Sequence, residues 1–112
     1  MPLLPQIPTK MTDAELIEFA QEFRDGILSG RLPTLMCFAV CAPLVTLLNM
    51  SGVEAELIES DNGWCNHFWL RLEDGRALDP TADQFNYLWD AKMPPVYLGP
   101  PTKYQGASSA LA

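Results

Sequence analysis

The stretch MCFAVCAPLVTLLN, residues 36–49, decides the fold, because it is almost wholly apolar and is followed by the break Ser51-Gly52. A helix that is hydrophobic on all sides is typical of the middle of a core. Pro43 lies inside the stretch and predicts a kink or a local loosening of the helix. We therefore expect a central buried helix with the rest of the chain packed around it.

Upstream of this stretch the sequence predicts an amphipathic helix over residues 12–29. Thr12 is a typical N-cap residue, and Glu15 follows at the spacing of a capping box. Gly30 supplies a stop signal, and the apolar residues between these ends recur at helical spacing: Leu16, Phe19, Ala20, Phe23 and Ile27. Residues 1–11, which include three prolines, predict an extended N-terminal arm.

Downstream the hydrophobic period changes to two, which is typical of strands. Three strands are predicted, at residues 53–58, 67–72 and 76–79. Asp74-Gly75 is a hairpin signal between the last two, and Pro80 ends the third because proline cannot donate to a ladder. We expect an α+β fold with an antiparallel sheet of three or more strands. The predicted boundaries are a single domain over 12–104 and a flexible tail over 105–112.

Length and charge exclude several classes of protein. The chain has 112 residues, 48% of them hydrophobic, which suits one packed domain. The formal net charge is −7 and the seven Lys and Arg are scattered, so a nucleic-acid or anionic-membrane partner is not expected. The N-terminus lacks the pattern of a signal peptide, and three cysteines are an odd number for a disulfide framework. These observations predict a soluble, cytoplasmic protein.

A cysteine, a histidine and an aspartate occur in an order that suits thiol chemistry. Cys37 stands near the start of the central helix, where the helix dipole favours a thiolate. His67, the only histidine, and Asp79 flank the predicted hairpin turn, so the carboxylate can orient the imidazole. Taken singly, each has an ordinary structural interpretation: a core thiol, a buried imidazole and an Asp-Pro turn. Their joint order favours a catalytic triad.

The sequence resembles papain-like and transglutaminase-like proteins over about residues 35–104. The run CFAVCAPL, residues 37–44, resembles their nucleophile helix, while HFWL (67–70) and DGRALDPTADQF (74–85) resemble their histidine and aspartate strands. The resemblance is closest to short proteins of phage and bacterial genomes that carry a similar "HxWL…DG…DPTADQF" run. It implies a minimal papain/transglutaminase-like core.

The resemblance also implies site roles and a reaction class. Cys37 is expected as nucleophile, His67 as general base and acid, and Asp79 as the orienting carboxylate. The implied chemistry is acyl transfer on an amide or thioester-type substrate, as peptidase, isopeptidase, deamidase or transferase, with a protein or peptide substrate and no cofactor.

The oxyanion-hole donor is not fixed by the sequence. Arg31 stands six residues before Cys37, where papain-like enzymes often carry a glutamine. Candidate donors are the backbone N–H of Cys37 and the side chains of Asn66 and Gln84. Trp64 and Trp69, close to the histidine, are candidate walls of a substrate cleft.

Three alternatives remain open at this point. Cys41, one helical turn after Cys37, is the rival nucleophile. A zinc site built from the three cysteines and His67 is conceivable, but the spacings between Cys37 and Cys41 and between Cys65 and His67 are not those of a zinc knuckle, so no metal is expected. A catalytically silent binding module on the same scaffold, which blocks or recruits a partner protein, is the alternative from another class.

Overall fold

The computed structural model describes residues 11–89 and 91–107, including their side chains except at positions 88 and 89. The predicted arm before residue 11 and the last five residues of the predicted tail lie outside the described residues.

Helix α1 spans Asp13–Leu28 and begins with the predicted capping box. The Thr12 hydroxyl accepts from the Glu15 N–H at 3.1 Å, and the Glu15 carboxylate accepts from the Thr12 N–H at 2.9 Å. The helix ends where Ser29 adopts the left-handed conformation. Its buried face contains Leu16, Ala20 and Leu28 together with one charged residue, Arg24.

Helix α2 spans Cys37–Met50 and continues through Pro43. Its buried residues recur at helical spacing on one face only: Cys37, Val40, Cys41, Leu44 and Leu48. On the other side Phe38 is 54% exposed and Met50 is 78% exposed. The expectation that this helix is buried on all sides is therefore wrong, because α1 and a single sheet cover only one face of it.

The four strands form one antiparallel sheet in the order β1-β2-β3-β4. They span Ala55–Asp61, Asn66–Leu72, Ala77–Asp79 and Tyr97–Gly99. The first three correspond to the predicted strands, and β4 adds an edge strand that the sequence pattern did not predict. The α+β class is confirmed, with an antiparallel meander packed against α2.

The chain after β3 contributes more structure than predicted. Helix α3 spans Gln84–Trp89, β4 follows, and a 3-10 helix spans Lys103–Gln105. Gln105, which the predicted tail included, is 1% exposed and ends that helix. Gln105 thus belongs to the fold, because it is held there by hydrogen bonds to Thr102 and Asp79.

The hydrophobic core lies between the two long helices and the sheet. Its members on the helices include Leu16, Cys41 and Leu44, and Leu70 and Leu78 come from the sheet. Within residues 11–89 and 91–107 no helix is long and apolar enough to span a bilayer.

Candidate active site

Cys37 is the first residue of α2 and follows a strained connection. Leu35, two residues earlier, has φ of 64° and is 84% exposed, although it is not a glycine. The N-cap residue Met36 makes no side-chain cap hydrogen bond, so the first N–H groups of α2 remain available around the thiol. Cys37 itself is buried, with 9% of its surface exposed.

His67 and Asp79 form a fully buried pair on adjacent strands. The His67 Nε2 lies 2.6 Å from Asp79 Oδ2, and both residues are 0% exposed. The register pairs Leu70 with Leu78, and its continuation places Asp79 opposite Trp69. His67 is therefore the diagonal neighbour of Asp79 on the same face, still within reach of a long side chain. The two residues are brought together, although not directly opposite one another.

The thiol of Cys37 interacts with the imidazole of His67. Burial raises the pKa of Cys37, but the hydrogen bond from His67, the backbone hydrogen bonds at Phe68 and Phe38 and the charge of His67 outweigh it, and the pKa is lowered overall. Because Asp79 lies on Nε2 of the ring, the hydrogen bond with Cys37 uses Nδ1, and Gln84 Nε2 approaches the same nitrogen to 3.3 Å.

The imidazole is correspondingly basic. Burial lowers the pKa of His67, yet the hydrogen bond and charge of Asp79, followed by those of Cys37, raise it to about 9. A lowered thiol pKa beside a raised imidazole pKa favours a thiolate–imidazolium pair at neutral pH. The buried carboxylate is the counter-ion of that imidazolium.

The other two cysteines have different environments. Cys41 is 0% exposed, and its thiol donates to the Phe68 carbonyl at 3.5 Å. Burial above all, together with the charge of Asp79, raises the pKa of Cys41 well above its usual value. Burial and the proximity of Cys37 raise the pKa of Cys65 as well. Of the three thiols, only Cys37 combines contact with His67 and a lowered pKa.

Of the two predicted side-chain oxyanion donors, one reaches His67. Gln84 is 2% exposed, and its Nε2 lies 3.3 Å from His67 Nδ1 and 3.1 Å from both the carbonyl and the hydroxyl oxygen of Thr81. Asn66 is exposed, and its side chain makes no hydrogen bond with Cys37, His67 or Asp79 among the described residues. The structure does not bring Asn66 to the site.

The two tryptophans predicted as walls of a substrate cleft differ in their exposure. Trp69 is 4% exposed and donates from Nε1 to Ser60 Oγ at 3.1 Å, so it belongs to the protein interior rather than to a cleft wall. Trp64 is 39% exposed and stacks on Tyr104 with ring centroids 5.4 Å apart. Phe85 links this aromatic surface to the site, since its ring meets His67 edge-on at 4.9 Å.

Arg31 lies just after α1 and binds the end of that helix. Its guanidinium donates to the carbonyl oxygens of Leu28 at 2.9 Å and Ile27 at 2.8 Å, which are among the last carbonyls of α1. Arg31 therefore caps α1, and the site has no side-chain donor from this position.

The sequence reasoning missed Gln105. Its Nε2 donates to Asp79 Oδ2 at 2.7 Å, next to the His67 contact. A signal for the local structure was present, because Thr102 and Gln105 have capping-box spacing and the structure forms that box. Nothing in the spacing, however, indicated that the box would lie against Asp79.

No group of three or more His, Cys, Asp or Glu side chains within residues 11–89 and 91–107 is arranged to hold a metal ion. The conceivable zinc ligands are instead divided: Cys41 lies in the core, while His67 is engaged with Asp79.

Comparison with known proteins finds no matching family model, no similar curated protein and no similar solved structure. The resemblance to papain-like and transglutaminase-like proteins consequently stays a prediction.

Proposed function

We propose that this protein is a cysteine-dependent acyl-transfer enzyme that uses Cys37, His67 and Asp79. One observation carries the proposal: the buried Nε2 of His67 lies 2.6 Å from Asp79 Oδ2, and a hydrogen bond from the same imidazole lowers the pKa of the Cys37 thiol. This is the arrangement of an activated nucleophile, a base and an orienting group. A papain-like or transglutaminase-like relationship, and a protein or peptide substrate, are parts of the same proposal.

In the acylation step the Cys37 thiolate attacks the carbonyl carbon of an amide, and the C=O electron pair moves to the oxygen. Collapse of this tetrahedral intermediate breaks the C–N bond, and the imidazolium of His67 gives its proton to the departing amine. The acyl group is then a thioester on Cys37. Water or an acceptor amine attacks the thioester, His67 takes the proton of that nucleophile, and the thiolate of Cys37 leaves.

The backbone N–H of Cys37 is the best-supported oxyanion donor. It lies in the first turn of α2, where N–H groups have no partner four residues earlier within the helix. The Gln84 amide is already engaged with both oxygens of Thr81, so it would have to give up those contacts to reach a substrate oxygen.

Iodoacetamide labelling of the native protein tests the proposal without a known substrate. We expect selective alkylation of Cys37 that persists below pH 7, because the thiolate there is paired with an imidazolium. His67→Ala should shift the labelling profile toward that of a free thiol, near pH 8.5. Labelling of Cys37 only above about pH 8, unchanged by His67→Ala, would contradict the proposal and favour the silent binding module.

Cys41 provides a matched control on the same helix. Cys41→Ser places a hydroxyl in the core and should destabilise the protein by about 1–3 kcal/mol, while the labelling of Cys37 at neutral pH remains. Cys37→Ser should abolish the low-pH labelling with little change in the urea midpoint. The reverse pattern would assign the nucleophile to Cys41.

A further inference from the structure

The side chain of Asp79 is fully buried, and each of its two oxygens has a hydrogen-bond donor. It is 0% exposed, and three donors surround it: the Thr81 N–H at 3.1 Å on Oδ1, and His67 Nε2 at 2.6 Å and Gln105 Nε2 at 2.7 Å on Oδ2. Burial of an unsatisfied polar group is costly, so each donor contributes to holding the Asp79 side chain in this position. Gln105 is the one donor that comes from the far end of the chain.

The orientation of the Gln105 amide follows from its other contacts. Its Oε1 accepts from the Thr102 N–H at 2.8 Å and from the Thr102 hydroxyl at 2.6 Å. Since the oxygen is committed to two donors, the NH₂ group must be the end that faces Asp79. The amide is thus a donor to the carboxylate and cannot turn round without losing both contacts to Thr102.

The turn that carries Gln105 is itself fixed against the sheet. Asn62 Nδ2 donates to the Tyr104 carbonyl at 2.8 Å, and the Tyr104 ring stacks on Phe85 at 5.0 Å. Gly106 closes the turn with φ of 87°, and a Cβ there would lie 2.8 Å from Ser60 Cβ. A residue with a side chain is therefore excluded at 106 by conformation and by space.

We propose that Gln105 is a positioning residue of the site: its amide, held by Thr102, keeps Asp79 aligned on Nε2 of His67. This inference rests on the proposed function for its catalytic meaning. It also assigns a role to the 3-10 helix Lys103–Gln105, which completes the hydrogen-bond shell of a carboxylate more than twenty residues earlier in the chain.

Two substitutions separate this role from simple packing. Gln105→Leu removes the donor, and Cys37 labelling below pH 7 should fall by about tenfold or more, the factor that one hydrogen bond to a charged group carries. Gln105→Glu is nearly isosteric. While protonated, Glu donates its O–H to Asp79 and labelling should match the native protein. Once Glu ionises, two carboxylates meet at hydrogen-bond distance and labelling should fall as pH rises.

His67 supplies a readout that does not depend on reactivity, because it is the only histidine and its ring signals in an NMR spectrum are unambiguous. In Gln105→Glu we expect its chemical shifts to acquire a second titration step from the coupled carboxylates. In Gln105→Leu the shifts should differ from the native ones at every pH. Gln21→Leu, which removes an amide that donates to Asp25 on α1, is the matched control and should leave labelling and His67 shifts unchanged.

The outcomes distinguish the two proposals. If the native protein fails to label below pH 7, the proposed function is contradicted, and the His67 titration still decides the role of Gln105. Native-like labelling and native-like His67 shifts in both Gln105 variants would overturn the positioning role. Equal losses in Gln105→Leu and Gln105→Glu at all pH values would also overturn it, because a packing role gives no pH-dependent recovery.

Discussion

Two charge pairs anchor the short segment from Asp79 to Gln84, one fully buried and one partly buried, and they differ in their hydrogen bonding. In the first, both oxygens of Asp79 have donors and His67 lies at 2.6 Å. In the second, Arg24 Nη1 lies 3.1 Å from Asp83 Oδ2, but Arg24 Nε and Asp83 Oδ1 are buried without hydrogen-bond partners among the described residues. Only the first pair has a complete shell of donors.

The difference separates a pair that suits the proposed chemistry from a pair that joins two elements of the fold. A complete shell holds the imidazole and carboxylate in one geometry, which an acid–base catalyst requires. The Arg24–Asp83 pair instead ties α1 to the turn before α3. A buried pair with unsatisfied atoms gains little over well-packed apolar side chains, because desolvation of both charges offsets their attraction.

The largest expected effect comes from breaking the Arg24–Asp83 pair on one side. Arg24→Ala should lower the free energy of unfolding by about 3 kcal/mol, the lower end of the range for a buried pair, since Asp83, with 13% of its side chain exposed, is left partly buried without its partner. The double variant Arg24→Met with Asp83→Leu should recover most of that loss or exceed native stability. Urea unfolding of the native protein, of Arg24→Met, of Asp83→Leu and of the double variant gives the coupling free energy between the two residues.

A double variant as unstable as Arg24→Ala would contradict this interpretation, and would show that the pair is specifically required. His67→Leu with Asp79→Leu is the parallel replacement at the first pair. We expect it to fold, because both charges are replaced together by apolar side chains, and to lose the low-pH labelling of Cys37.

The sequence predicted the elements well where local patterns determine them. The capping box at Thr12 and Glu15, the helix that begins at Cys37, and the hairpin at Asp74-Gly75 all depend on neighbours in sequence. The exposed side of α2 could not be predicted, because its apolar residues give no sign of how many layers cover it. Strand β4 and α3 were missed, since both are short and lie in a proline-rich region.

The residues of the candidate site likewise fall into those that the sequence identified and those that it missed or misplaced. Cys37, His67 and Asp79 were identified from residue type and order, and the structure brings them together, while their catalytic roles remain predictions. Gln105 was missed because its contact with Asp79 spans twenty-six positions and depends on the path of the chain after β4. Trp69 and Asn66 were misplaced because proximity to His67 in sequence does not determine which side chains line the site.

The pH dependence of stability should distinguish the two pairs. The folded pKa of His67, about 9, lies above its unfolded value near 6.5, so its contribution is fully present below pH 6.5 and is lost as pH rises toward 9. Burial likewise raises the pKa of Asp83, with Arg24 opposing it, so the contribution of Asp83 is present below its ordinary value of 3.8 and is lost as pH rises above that value. The two contributions to stability are therefore lost in separate pH ranges.

Urea unfolding of Cys37→Ser across pH 3–10 measures the free energy of unfolding in both pH ranges. The Cys37→Ser background is used because ionisation of the Cys37 thiol would otherwise change stability in the opposite direction to His67. Adding Asp79→Asn should flatten the upper window, while adding Asp83→Asn should flatten only the lower one. An upper window that survives Asp79→Asn would contradict the assignment of Asp79 as the main cause of the raised His67 pKa.

The smallest effect on stability is expected at the exposed cluster of Arg76, Asp13 and Asp74, with which the other two charge pairs can be compared. Arg76 donates to Asp13 at 2.9 Å and to Asp74 at 2.8 Å, and the hydrogen bonds from Arg76 hold the pKa of both carboxyl groups below their ordinary values. These groups remain in contact with water, where salt screens their attraction and ordering the long side chain costs entropy.

Arg76→Ala should therefore move the urea midpoint far less than Arg24→Ala, and the small difference should disappear in 1 M NaCl, where the screening length is about 3 Å. The contribution of the two lowered carboxyl groups is present above pH 4 and is lost on acidification, so any effect should also fade toward pH 3. A loss as large as that of Arg24→Ala, or one insensitive to salt, would show that exposure does not separate these clusters, and the contrast between satisfied, incomplete and exposed charges would no longer hold.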